Sequence, residues 1–458
     1  MRSLSGQSRT RSSRLGLSRL AAWRASLPRT GLPRTPLSRL GLSRLAAWRT
    51  PLARLGPAGI RLLGPDPRGV GQSLGALCVL AVTSVVAGVV LGRSHERLAD
   101  VPGLLLLVPA AIALRGNIFG ALGSRLGTAI HTGTFRLSLR SSTVVGQNVR
   151  ASMALTLVLS LVLAILASVV ASATGIEGAI SVADYLVISV VGGTLASVFV
   201  LLVALGMATG SVRWGLDPDN VTAPMVTAAG DVLTLPALIV ASHLVRRDVV
   251  TPVIAGMVVA ATAISLVAAV RSKAPELRTI LRESMPVLAL AGFLSLLAGV
   301  MLENRFDVFA ARPVLLVLVP GYLATAGALG GILANRLSSK LHLGLIGPSL
   351  VPQREARADV GVTVGLALPV FAIVALVSQG AGSLVDLAGP GAGRLVGVVL
   401  VGGVMAVAVV VAVAYYGTIA AVRFGVDPDT VGIPTVTAVL DLVGALTLVF
   451  AIEVLGAG

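Results

Sequence analysis

The chain has 458 residues, 55% of them hydrophobic and only 12% charged, with a mean hydropathy of +0.93. A soluble fold carries about twice that charged fraction, and many apolar runs here exceed the ~18 residues that suggest a membrane helix. Composition therefore excludes a soluble enzyme and a nucleic-acid-binding domain, and predicts an all-α polytopic membrane protein embedded in a lipid bilayer.

The net charge of +16 is concentrated at one end. Residues 1–70 hold fourteen Arg and one acid, Asp66. Within them RLGLSRLAAWR occurs twice, at Arg14–Arg24 and Arg39–Arg49, and Arg recurs every fifth residue from Arg9 to Arg54. Five residues turn a helix by about 500°, so these Arg make no single face. Pro28, Pro33, Pro36 and Pro51 interrupt any helix further. The expectation is a disordered, low-complexity tail. It reads as an electrostatic anchor to anionic lipid, as a nucleic-acid tether, or as an over-extended gene start without a role. Cys78 is the only cysteine, which excludes an intrachain disulfide and a multi-cysteine metal site. Two Lys against 34 Arg, with abundant Ala, Val, Gly and Leu, suggest a GC-rich prokaryotic genome and hence a prokaryotic plasma membrane.

Eleven apolar segments follow, near 74–91, 102–130, 149–172, 183–210, 222–244, 250–270, 285–302, 313–339, 358–378, 393–420 and 434–456. Basic loop residues set the orientation. Arg136, Arg140 and Arg150 follow the second span; Arg271, Lys273, Arg278 and Arg282 the sixth; Lys340, Arg354 and Arg357 the eighth. All fall on the side of the basic tail, which places the N-terminus in the cytoplasm and the C-terminus outside. Glu177 and Asp184 mark an opposite loop, where Arg246 and Arg247 go against the rule.

Two stretches recur about 210 residues apart. LVPAAIALRGNIFGALGSRLGTAIHTG (Leu107–Gly133) parallels LVPGYLATAGALGGILANRLSSKLHLG (Leu318–Gly344), and DPDNVTAPMVTAAGD (Asp217–Asp231) parallels DPDTVGIPTVTAVLD (Asp427–Asp441). Gly192-Gly193 and Gly402-Gly403 keep the same offset. The division expected is a tail (1–70), a first five-helix repeat (71–248), a connector helix (249–272) and a second five-helix repeat (273–458). Five spans plus a connector make both repeats cross in the same direction. They should be related by a pseudo-two-fold axis along the membrane normal, so matched residues meet across it.

Asp231 and Asp441 are the sharpest candidates. Each lies seven residues past a Pro (Pro224 or Pro434) and twelve past the end of its D-P-D, roughly 18 Å along the helix at ~1.5 Å per residue. A carboxylate there costs several kcal/mol unless compensated, and intramembrane ionisable groups are functional by default. Hard carboxylate oxygens suit Mg²⁺, Ca²⁺ or Mn²⁺. The competing reading is that each Asp bonds a helix end or an Arg elsewhere, and a proton relay is another use. Asn117, Thr227 and Thr437 are candidates to line the path, although each Thr is equally suited to packing on a neighbouring helix. Asp217, Asp219, Asp427 and Asp429 read either as N-terminal helix caps or as a cytoplasmic vestibule that gathers cations. Arg125 and Arg336 read as interfacial anchors. His131 and His342, without a third ligand, are a poor zinc site. No nucleotide-binding or hydrolase motif is present, so neither ATP drive within this chain nor an enzyme is expected, and no cofactor is implied.

The pattern P-x₆-G-N-x₇-R-L, followed by D-P-D-N-x₃-P-x₆-D, resembles the membrane domain of the MgtE magnesium transporters, in the two-repeat form of the eukaryotic solute-carrier relatives. The resemblance covers roughly residues 74–458. It implies a homodimer-like pore fused into one chain, which could then work as a monomer. It also implies that Asp231 and Asp441 bind Mg²⁺ in that pore. Gly116 and Asn117 match the family's Gly-Asn pair, whereas the second half has Gly327 and Ala328. The basic tail cannot be the acidic sensor domains of the bacterial members, so gating falls to the pore mouth or a separate protein. The expected function is divalent cation transport, Mg²⁺ first, with Mn²⁺, Co²⁺ or Ca²⁺ as substitutes. An H⁺- or Na⁺-coupled exchanger or exporter is the alternative within transport, and a non-transporting membrane scaffold the alternative outside it.

Overall fold

A computed structural model describes residues 67–214, 218–272, 274–424 and 433–457. The tail, Asp217, Asp427 and Asp429 lie outside the described residues, as does the side chain of Asp219. Among the described residues there is no strand, and eleven helices are long and apolar enough to cross a membrane. They are α1 (Pro67–Arg93), α2 (Leu104–His131), α3 (Val144–Thr174), α4, α5 (Pro218–Ser242), α6 (Val250–Arg271), α7 (Pro275–Glu303), α8 (Val314–His342), α9 (Arg354–Leu384), α10 (Ala392–Arg423) and α11 (Ile433–Val454). α4 joins Val182–Leu186 and Gly193–Trp214 through a π-helical segment, Val187–Gly192. All eleven expected spans are present. α7 begins about ten residues before its expected start, so Arg278 and Arg282 sit on its first turns and not in a loop.

Local sequence accounts for the ends. Thr143 caps α3 by accepting from the Gly146 N–H at 3.1 Å, and Gly175 ends that helix at φ 68°, where a side chain would be strained. The N-terminus of α2 lacks a side-chain cap of its own. Glu303, at the end of α7, supplies one by accepting from the N–H groups of Gly103 (2.6 Å) and Leu106 (3.2 Å).

Helices far apart in sequence interlock. α1 packs on α8 and α9, and α7 packs on α2 and α3. Both contacts depend on a glycine notch. A Cβ at Gly88 would collide with the Val317 carbonyl, and one at Gly299 with the Leu106 carbonyl. Gly299 follows Gly88 by 211 residues, and Val317 follows Leu106 by 211. With lipid outside the bundle, close backbone approach of this kind is a main source of helix association. Among the described spans α8 is the most enclosed and α6 the least. α6 lies against α3 and α4 and turns most of its surface, including Met257 and Ile264, away from the protein.

Candidate functional site

α1, α2, α5, α8 and α11 line a partly open cavity of about 820 Å³. Asp231 (α5) and Asp441 (α11) both line it, together with Asn117, Thr227 and Thr437. Thus all five cavity candidates drawn from the sequence are brought to one space. Much of the remaining lining is small or apolar, including Pro109, Gly116, Pro320 and Gly327.

Each carboxylate is held by a serine from another helix. Ser84 of α1 donates to Asp231 Oδ2 at 3.5 Å, and Ser295 of α7 donates to Asp441 Oδ2 at 2.7 Å. The two serines are 211 residues apart. Among the described residues neither Asp forms an ion pair. The reading that each Asp is tied to an Arg is therefore not what the geometry presents. Asp231 is 6% exposed. A buried carboxylate with one hydroxyl donor retains unused acceptor capacity on its second oxygen.

The threonines touch both the cavity and a neighbouring helix. Thr227 lines the cavity and abuts Gly116 and Gly120, while Thr437 lines it and abuts Gly327 and Gly331. Thr437 Oγ1 also donates to the Pro434 carbonyl at 3.0 Å. The glycine spacing of four on α2 and α8 therefore lets α5 and α11 approach closely beside the cavity.

The basic candidates sit apart from the carboxylates. Arg125 Nε donates to the Ala121 carbonyl at 3.0 Å. Arg336 donates to Ser73 at 3.2 Å and lies 3.9 Å from Asp359, which also takes Lys340 at 2.5 Å. His342 Nδ1 lies 3.3 Å from Ser338 Oγ. Among the described residues no three His, Cys, Asp or Glu side chains gather into a closed metal site.

Sequence reading missed four residues: Ser84, Ser295, Asn335 and Arg115. The serines carried a signal, namely matched positions in otherwise apolar spans. Asn335 lines the cavity on α8, two turns beyond Ala328. Arg115, immediately before Gly116-Asn117, is 1% exposed in the middle of α2.

Comparison with known proteins identifies the family. The family model described as MgtE, divalent cation transporter, matches residues 108–241 and 319–451. The chain belongs to this family. Both matched segments contain one Asp of the pair, and together they span more than half of the sequence. This MgtE-family chain is 28% identical over 406 residues to solute carrier family 41 member 2 of Xenopus laevis, covering 81% of this chain and 69% of that protein. The human protein of the same description is 27% identical over 405 residues, covering 81% and 68%. The match to the Gallus gallus protein, 28% identical, covers 60% of this chain and 48% of that protein. These vertebrate relatives do not point to the prokaryotic origin suggested by composition. A solved structure, the inward-facing conformation of a multidrug resistance MATE family transporter, aligns over 82% of this chain and 95% of that one. Its 13% identity and TM-score of 0.32 are too low to bear on fold or function.

Proposed function

We propose that this MgtE-family chain carries divalent cations across the membrane, Mg²⁺ first, through the cavity between its two halves. One observation carries the reading: Asp231 and Asp441, at matched places in the two family-model segments, line a single cavity. The reciprocal contacts of α1 with α8 and α9, and of α7 with α2 and α3, favour a pseudo-two-fold relation between repeats 71–248 and 273–458. A hydrated ion between two carboxylates relieves their repulsion and their cost of burial together. Mg²⁺ dehydrates reluctantly and is bound through a few carboxylates while keeping several waters. Asn117 and the two threonines offer further oxygens to that water shell.

Drive for uptake needs no ATP. An inside-negative potential supplies about 4.6 kcal/mol per 100 mV for a divalent ion, twice the single-charge figure. The N-terminus lies in the cytoplasm on this reading, and the D-P-D carboxylates Asp217, Asp219, Asp427 and Asp429 gather cations at that mouth. The test is metal-dependent flux in proteoliposomes containing the full chain, with an imposed potential and an internal Mg²⁺ indicator. Potential-driven Mg²⁺ accumulation is the expected result. Flux that requires a pH or Na⁺ gradient would replace it with coupled exchange. No flux of Mg²⁺, Mn²⁺, Co²⁺ or Ca²⁺ from folded protein, with or without such gradients, would refute transport.

A further inference from the structure

The intramembrane charge with no role so far is Arg115. Its guanidinium points from α2 toward α3 and α4. It donates to Ser160 Oγ at 2.8 Å, to the Ala111 carbonyl at 3.1 Å and to the Ser189 carbonyl at 3.5 Å. Ser189 lies in the π-helical segment of α4, a distortion often found at functional sites. Gly193 makes the socket, since a Cβ there would overlap the guanidinium. Every contact is with a neutral oxygen. Nε has no partner, and among the described residues no carboxylate lies within ion-pair distance. Arginine keeps its charge throughout the physiological range. A full positive charge is thus buried in the span, hydrogen-bonded but not neutralised.

The second half lacks it. The position equivalent to Arg115 is Ala326, and that equivalent to Ser160 is Phe371, whose ring fills the notch at Gly403. The two halves therefore share the glycine notch but fill it with a cation in one case and a hydrocarbon ring in the other. The Arg115 backbone and Cβ lie 3.7 Å from where a Cβ at Gly230 would stand. Gly230 is the residue before Asp231. Arg115 and Asp231 thus occupy contacting turns of α2 and α5, with the cavity on one side and the guanidinium on the other.

We propose that Arg115 is a fixed counter-charge that weakens cation binding on the Asp231 side of the cavity and so makes the two halves unequal. It acts through its field, without touching the ion. In low dielectric such a field extends well beyond contact distance. A weaker half suits release, because an ion held tightly by both carboxylates leaves slowly. The inference rests on the cavity being the cation path.

The test is Mg²⁺ titration calorimetry on the purified full chain, with flux in proteoliposomes alongside. Arg115→Gln removes the charge. Ser160→Asp instead neutralises it in place, beside the guanidinium, and keeps the socket filled. Both should tighten half-saturation about tenfold, the effect of a unit charge on a divalent ion at roughly 12 Å and an effective dielectric of about 40. The shift should persist with Asp441→Asn, where the ion rests against Asp231, and shrink with Asp231→Asn. Lost thermal stability and maximal rate with unchanged half-saturation would overturn the proposal and leave Arg115 as a bolt between helices. A wild-type chain with no saturable Mg²⁺ binding would overturn the cavity reading, and this inference with it. Saturable binding that Asp231→Asn weakens but Arg115→Gln leaves alone would overturn this inference only.

Discussion

Replacing Asp231 or Asp441 by Asn removes one negative charge while keeping nearly the same shape. The amide oxygen of Asn still accepts from Ser84 or Ser295, so the helix contacts survive. The cavity of about 820 Å³ has room for an ion with a complete first water shell. A carboxylate then acts through one water, roughly 4.5 Å from the metal, given a Mg–O distance of about 2.1 Å and one hydrogen bond. At that distance a unit charge and a divalent ion interact by about 2 kcal/mol at the dielectric of water and by about 7 kcal/mol at an effective dielectric of 20. The lower figure already corresponds to roughly a 20-fold change in affinity. Each single substitution should therefore raise the Mg²⁺ concentration for half-maximal flux at least ~20-fold. The double substitution should remove saturable flux in the millimolar range. The assay is initial rate against external Mg²⁺ in proteoliposomes at fixed potential, with thermal unfolding to verify that each variant is folded. Half-saturation within about threefold of wild type in both single variants would refute a two-carboxylate site.

Gly88→Ala and Gly299→Ala should each destabilise the protein by about 1–3 kcal/mol, because the new methyl meets a backbone carbonyl of α8 or α2. Gly206→Ala, with nothing within 4 Å, should not, and thermal unfolding in detergent distinguishes them. Glu303→Ala strips the only side-chain acceptor placed on the first turn of α2 among the described residues and should cost about 1–3 kcal/mol. Its half-saturation for Mg²⁺ should stay at the wild-type value, which separates a helix cap from a ligand. With Mg²⁺ supplied on the side of the D-P-D loops, neutralising Asp217, Asp219, Asp427 and Asp429 together should lower flux at sub-saturating Mg²⁺ and flatten its dependence on ionic strength, as expected for a cation-gathering mouth. A maximal rate that falls while the salt dependence persists would contradict that role.

The sequence alone determined what a bilayer imposes. A span needs some twenty apolar residues whatever surrounds it, so eleven helices could be counted from hydropathy, whereas the polar first turns of α1, α3, α7 and α9, which carry Arg278, Arg282, Arg354 and Arg357, were left outside the expected spans. A charged residue in such a span must have a purpose, so Asp231 and Asp441 stood out before any contact was known. The internal offset paired Asp231 with Asp441 and Thr227 with Thr437, because polar identities seldom coincide by chance in an apolar chain.

What remained hidden were contacts between residues far apart in the chain. Ser84 and Ser295 keep the internal offset, but 147 and 146 residues separate them from the carboxylates they touch, and nothing in the linear order joins the two. Hydropathy cannot distinguish the Gly88 and Gly299 notches from the many other glycines, because only the approach of a facing carbonyl gives the missing Cβ a meaning. Arg115, beside the Gly-Asn pair, drew no reading from the sequence. Tertiary structure buried it against the π-helical turn of α4, with neutral oxygens for partners. Local rules fix how a segment crosses the membrane. Which side chains share a cavity is decided by helix–helix approach, and that depends on shape at contacts the linear order does not record.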